Sequence, residues 1–308
     1  MLKVVLLFWM LTFSVLGSAS EKVAQEWLEK MSHAMNALEY QGTVAFFKNG
    51  RLDTMKYFHA IDNGQDQERL LSLNSPMREV IREAGAVRCV FKGSTQSVVN
   101  NHPVSESFIV NLPGTFSDLN TIYSLSALGN ESVAMRMAQV VSIQADDQYR
   151  YDRKIWIDKS HFLPLKLEVY DSAGTTLEQV VFTELLVNED VDFIKADSPT
   201  ETIEKSDALS IDDASFIVDN IPAGFQIRFF TRMNDENTKQ VVEHLLLTDG
   251  FSSISVYLEA IASDTREGLQ TLGSVNSYTH IIDDFQITAM GEVPSAAVQF
   301  IAQGIKLR

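Results

Sequence analysis

Residues Ile155–Val187, IWIDKSHFLPLKLEVYDSAGTTLEQVVFTELLV, restrict the fold more than any other part of the chain. Ile155, Trp156 and Ile157 form an apolar run that stops at Asp158-Lys159-Ser160. Leu165, Leu167 and Val169 then alternate with Lys166, Glu168 and Tyr170, the period of a strand whose two faces meet different surroundings. Asp171-Ser172-Ala173-Gly174 reads as a turn. A third strand carries Leu177 to Leu186. The pattern predicts consecutive antiparallel strands, and a sheet of that kind must cover at least one face.

The same pattern extends in both directions. Asn49-Gly50 separates strand-like runs at Thr43–Lys48 and Leu52–Ile61, a strong hairpin signal. Met77–Arg82 and Val87–Lys92 flank Glu83-Ala84-Gly85, and Val133–Ala145 and Tyr149–Ile157 flank Asp146-Asp147-Gln148. Helical spacing is expected at Glu21–Glu39, where Val23, Trp27, Met31, Met35 and Leu38 fall on one side, and at Phe116–Leu128. Between Asn188 and Asp213 the alternation gives way to Asp, Glu, Lys and Ser, as in a linker. Strands resume at Gln226–Arg232, Gln240–Thr248, Ser252–Ala260, Ser274–Ile282 and Phe285–Met290. Pro294 then opens a helix in which Val298, Ile301 and Ile305 mark the buried face.

The N-terminus is a separate matter. Lys3 precedes the apolar run Val4–Leu16, and Gly17-Ser18-Ala19 follows with small residues, the layout of a cleavable signal peptide cut after Ala19. The apolar run is shorter than the roughly 20 residues a spanning helix needs. The expected organisation is a leader over residues 1–19, an N-terminal domain over 20–190, a linker over 191–213 and a smaller domain over 214–308. Cys89 is the one cysteine, so an exported chain of this kind holds no internal disulfide. In a strand-like run it reads as a small buried apolar group.

Charge and motifs exclude more than they select. A formal charge of −16 makes nucleic acid a poor partner. No G-x-S-x-G elbow, P-loop or dinucleotide-binding glycine pattern occurs, so no enzyme activity is expected. The histidines fall at no metal-ligand spacing, and no metal or cofactor is expected. Aromatic residues on strand-like runs, with Tyr123 on the expected internal helix, remain. Phe46, Phe58, Tyr123 and Trp156 are candidate linings of an apolar cavity, against the alternative of ordinary core. Arg150, Arg153 and Lys154 around Asp146-Asp147 form a candidate anion patch, against the alternative of pairing with those aspartates.

Several short motifs occur in a shared order. They are Trp27-Leu28 through Met31 to Leu38-Glu39-Tyr40 and Gly42; Pro76-Met77-Arg78-Glu79-Val80-Ile81-Arg82; Ile221-Pro222-Ala223-Gly224-Phe225; Glu243-His244-Leu245 to Asp249-Gly250-Phe251 and Ser255-Val256-Tyr257; and Met290-Gly291-Glu292-Val293-Pro294. With the three-strand stretch, this order resembles the RseB/MucB family across nearly the whole mature chain. That family comprises periplasmic negative regulators of the sigma-E envelope stress pathway, and its N-terminal fold is similar to the LolA/LolB lipoprotein carriers.

The resemblance implies an α+β, mainly antiparallel fold: an unclosed N-terminal half-barrel covered by helices, followed by a smaller mixed α/β domain. It implies a periplasmic protein that binds the periplasmic segment of an inner-membrane anti-sigma factor and protects it from proteolysis. Lipoprotein acyl chains or lipopolysaccharide would release it. A carrier for lipoproteins or lipids is the alternative, and a homodimer is left open. For the partner, Ile221, Pro222, Phe225, Phe229 and Phe230 are the candidate contacts. Neighbouring strand residues point to opposite faces, so Phe229 and Phe230 cannot share one core.

Overall fold

The structure is a computed structural model and describes residues 2–62, 64–73, 78–83, 86–91, 97–100, 107–117, 119–188, 209–234, 240–262 and 265–308. Helix α1 (Leu2–Ala37) leads into β1 (Tyr40–Lys48), β2 (Arg51–Asp62), β3 (Gln65–Ser72), β4 (Arg78–Glu83), β5 (Ala86–Phe91) and β6 (Ser97–Asn100). A 3-10 turn at Leu119–Thr121 precedes β7 (Tyr123–Val133), β8 (Arg136–Ala145), β9 (Asp152–Asp158), β10 (Pro164–Tyr170) and β11 (Thr176–Val187). These strands form one open 11-stranded sheet in the order β6-β5-β4-β3-β2-β1-β11-β10-β9-β8-β7. Every ladder in it is antiparallel. Asn49 and Gly50 both take positive φ, as the hairpin signal required.

Helix α1 lies over β7 and β8 and buries Ala24, Leu28, Met31, Ala34 and Met35. They join Tyr40, Val44, Tyr57, Leu125, Val141, Ile143, Ile155 and Phe182 in one apolar cluster. A buried carboxylate sits at its edge. Glu68 accepts from Tyr57 Oη (2.8 Å), Ser107 Oγ (2.6 Å) and the Phe108 amide (2.8 Å), and Arg82 Nε lies 3.4 Å away. Burial, with the Glu68 charge next, pushes the Tyr57 phenol well above its ordinary range. The carboxylate therefore anchors the segment at residues 107–110 to β3.

A second unit follows the 3-10 turn Ile211–Asp213. It contains β12 (Phe216–Val218), β13 (Gln226–Asn234), β14 (Val241–Thr248), β15 (Ser253–Ala260), β16 (Gly268–Leu272), β17 (Val275–Ile282), β18 (Phe285–Gly291), α2 (Ser295–Gln303) and β19 (Ile305–Leu307). Its 6-stranded sheet runs β13-β14-β15-β18-β17-β16, and β12 pairs with β19. Helix α2 packs on β17 and β18 and buries Val298 and Ile301 against Phe216, Phe230, Leu245, Leu247, Val256 and Ile287.

The strand content and antiparallel pairing agree with the sequence, and two expectations fail. Phe116–Leu128 is not a helix: beyond the short 3-10 turn it is the start of β7. Phe116, Leu119 and Ile122 do fall at helical spacing, but Tyr123 and Leu125 alternate with Ser124 and Ser126, and pairing with β8 decides the outcome. Ile305 is buried in β19, after the helix has ended at Gln303. Cys89 lies on β5 opposite Val80 and Val98, and its side chain is outside the described residues.

Candidate functional site: the cleft between the two sheets

Two elements of the second unit dock on the first sheet, and both coincide with motifs visible in the sequence. The turn from β14 to β15 is Asp249-Gly250-Phe251-Ser252. Asp249 Oδ1 accepts from the Phe251 and Ser252 amides at 2.9 and 2.7 Å, which fixes the turn. Its other oxygen reaches across the joint to Tyr123 Oη (2.9 Å) and Arg150 Nε (2.6 Å). The side chains of Arg150 and Asp249 are both 0 % exposed. Burial and then the Asp249 charge push the Tyr123 phenol far above its ordinary range.

Arg150 also donates to Asp147 and to the carbonyl of Ala223, and its guanidinium lies 4.6 Å from the Phe225 ring centre. It thereby grips the Pro222-Ala223-Gly224-Phe225 element. Arg153, from β9, donates to the Phe251 carbonyl (3.1 Å) and to Ser252 Oγ (2.9 Å). Gly224 and Gly250 take φ of +83° and +96°. A Cβ on Gly224 would run into Ile122, and one on Gly250 into the Pro113 backbone. Both positions therefore need glycine twice over, for the backbone and for close approach.

A second contact lies along the joint. Lys48 pairs with Glu178 at 2.9 Å and with Glu292 of the second unit. Glu178 accepts from Ser274 Oγ, and Asn276 Nδ2 donates to Tyr151 Oη at 3.0 Å. Tyr149, in the turn from β8 to β9, stacks on Phe300 of α2 at 4.9 Å.

Beside this joint is a cleft of about 730 Å³. One wall is the end of α1 (Ser32, Met35, Asn36) with Val110, Leu112, Thr115 and Ile122; the other is Gln226, Ile227 and Arg228 at the start of β13. Thr248 and Asp249 also line the cleft. The lining mixes hydroxyl and amide groups with apolar side chains, which suits a ligand that needs both hydrogen bonds and contact.

The expected site residues are distributed differently from the sequence reading. Ladder register places Phe46 on the same face as Val180, Leu167, Ile155 and Val141, with Tyr123 further along it. Phe58 and Trp156 fall on the opposite face, Trp156 level with Lys166 and Val181. The four therefore do not line one cavity. Trp156 donates to Glu131 (2.7 Å) beneath the Lys166 ammonium, and Arg69 lies over Phe58.

Arg150 and Arg153 are no exposed anion patch: both are buried and hold the second unit, while Lys154 sits over the Tyr170 ring. Pairing of Arg150 with Asp147, the alternative, is present. Phe229 and Phe230 are not exposed either. Phe230 meets Phe216 in the core, and Phe229, on the other face, is 7 % exposed with its edge to His244. Pro222 and Phe225 are buried and Ile221 half-buried, with Phe225 in the second unit's core and Ile221 packed against it. Asp249, Gly224 and Gly250 carry the joint; the sequence shows them as motif residues, an Asp-Gly pair and a Pro-x-Gly-Phe element at turns, without showing that the two meet the first sheet. Among the described residues no cluster of His, Cys, Asp and Glu could hold a metal, and no helix is long and apolar enough to cross a membrane.

The chain is 28% identical over 294 residues to the sigma factor AlgU regulatory protein MucB of Pseudomonas aeruginosa, covering 92% of this chain and 90% of that one. It is 24% identical over 305 residues to the sigma-E factor regulatory protein RseB of Haemophilus influenzae, covering 97% and 96%. The solved Pseudomonas aeruginosa MucA/MucB complex superposes with a TM-score of 0.73 at 25% identity, over 92% of this chain and 99% of that one. Residues 23–202 match the MucB/RseB N-terminal domain and residues 210–306 the MucB/RseB C-terminal domain, so the chain belongs to the MucB/RseB family.

Proposed function

We propose that this chain is a periplasmic regulator that binds the periplasmic segment of an anti-sigma factor and so restrains an envelope stress response. The observation that carries the reading is the match of both family domains, in order, across one chain. It is supported by the likeness to MucB solved in complex with the periplasmic part of MucA, at a TM-score of 0.70. The cleft is the proposed seat of the partner, since both units contribute to its walls. The leader is removed after Ala19, the two domains divide at residues 191–213, and the N-terminal sheet is an unclosed half-barrel.

Release follows from linkage. A lipoprotein acyl chain or lipopolysaccharide can free the partner only if it binds the unoccupied regulator better than the complex. The joint of Arg150, Tyr123 and Asp249 is where such a difference is expressed, because separating the sheets costs those buried contacts. Phe46 and Tyr123, on one face of the first sheet, remain candidates for contact with an acyl chain.

The test is capture of an anti-sigma periplasmic fragment by the mature chain, beside a chain ending at Asn188. The reading expects capture by the first and loss with the second. Equal capture by both would move the partner off the second unit and favour a lipid or lipoprotein carrier.

A further inference from the structure

Among the described residues strand β13 is an edge of the 6-stranded sheet, with β14 as its one neighbour in the ladder order. On its other side Leu209 makes a single bridge at Phe230. Gln226 and Ile227 have no second ladder partner among the described residues, and both line the cleft. An unpaired strand edge presents a row of N–H and C=O groups that accept another extended chain.

Three further observations fit such an occupant. The facing wall at Val110–Pro113 has no helical or strand structure of its own, so its main chain is not committed to a ladder. The lining carries hydroxyl and amide groups at Ser32, Asn36 and Thr115, which suit a main chain better than a purely apolar tail. Ile227 shares a strand side with buried Phe225 yet is itself 41% exposed, so one apolar residue placed beside it would continue the second unit's core into the cleft. A register shift between Ile227 and Phe229 ends this stretch, which limits regular pairing to the first residues of β13.

Building on the anti-sigma reading, we propose that the partner enters the cleft as an extended segment and adds a strand to the open edge of β13 at Gln226–Ile227. Its side chains alternate, apolar toward Ile227 and Leu112 and polar toward solvent, because successive residues of a strand point to opposite sides.

The test uses the full mature chain and overlapping synthetic peptides that tile the periplasmic segment of the anti-sigma factor. The tightest peptide is remade with a single N-methyl group at each position in turn. Strand addition expects a loss of roughly five- to tenfold at the position whose N–H meets this short edge and tolerance at its two neighbours, because only every second N–H faces the added edge. Amide exchange should slow on binding at whichever of Gln226 and Ile227 turns its N–H away from β14. Tight binding with tolerated N-methylation, or with side-chain losses every third and fourth residue, would overturn strand addition in favour of a docked helix and leave the regulator reading standing. Unchanged exchange at Gln226 and Ile227 would overturn it likewise. Failure of every peptide and of the whole periplasmic fragment to bind would overturn both.

Discussion

Replacing Asp249 with asparagine tests the joint with a change of one atom. Oδ1 keeps the Phe251 and Ser252 amides, so the turn survives. Oδ2 becomes an NH₂ group facing Tyr123 Oη, which can turn to accept, and Arg150 Nε, which cannot. The loss is that of one partner of a fully buried ion pair, a class of change that costs about 3–5 kcal/mol. Asp147, still paired with Arg150 and 27% exposed, offsets part of it, so about 3 kcal/mol is expected. Chemical denaturation of the protein followed by Trp fluorescence and far-UV dichroism would measure it, with small-angle scattering reporting separation of the sheets. Arg150→Met alone should cost a similar amount, and the Arg150→Met/Asp249→Asn pair far less than the sum. A coupling of about 2 kcal/mol lies within the range for side chains in one network. Additive effects, or less than about 1 kcal/mol for Asp249→Asn alone, would refute the argument that this carboxylate closes the joint.

Three other outcomes are expected. Gly250→Ala should weaken docking, by about 1–2 kcal/mol from backbone conformation alone and more from the Pro113 contact, read as faster proteolysis between the two units; an unchanged digestion pattern would count against the packing described. Ala134 and Met135 both take positive φ at the tip between β7 and β8, so Ala134→Asn/Met135→Gly should raise stability by about 1 kcal/mol, and a lower unfolding midpoint would contradict it. Burial works against the Asp158 carboxylate, but Arg136 and the His161 amide hold it below the usual carboxylate range. The unfolded group binds its proton first as pH falls, so this stability is present above about pH 4 and is lost as pH drops toward the lower folded value. Asp158→Asn should flatten that acid limb of the stability curve, and parallel limbs would exclude the pair as its cause.

Local signals were legible where a short stretch decides its own conformation. Asn49-Gly50 sets a hairpin by itself, and Leu165, Leu167 and Val169 declare a two-faced strand. Position across the sheet was not legible. Phe46 and Phe58 look equivalent in the sequence, yet the ladder puts them on opposite faces. Arg150 and Arg153 beside two aspartates look like a solvated turn, because their partners Asp249, Phe251 and Ser252 lie about a hundred residues later. Phe229 shows the same limit. Alternation separates it from Phe230, as expected, but cannot reveal that its own face is also covered.

The order of strands in the first sheet also bears on how the chain folds. β1 to β6 form one meander and β7 to β11 another, each built from neighbours in sequence, and the two meet at a single seam where Tyr40 lies opposite Val187. Each meander can assemble from short-range contacts, whereas the seam must close a loop that spans most of the domain, and such closure is slow. Until then β1 and β11 are both bare edges of long strands, open to pairing with other molecules. Crowding during folding would therefore be most damaging at this seam, and an exchanged β1 or β11 is the form a misassembled dimer would take.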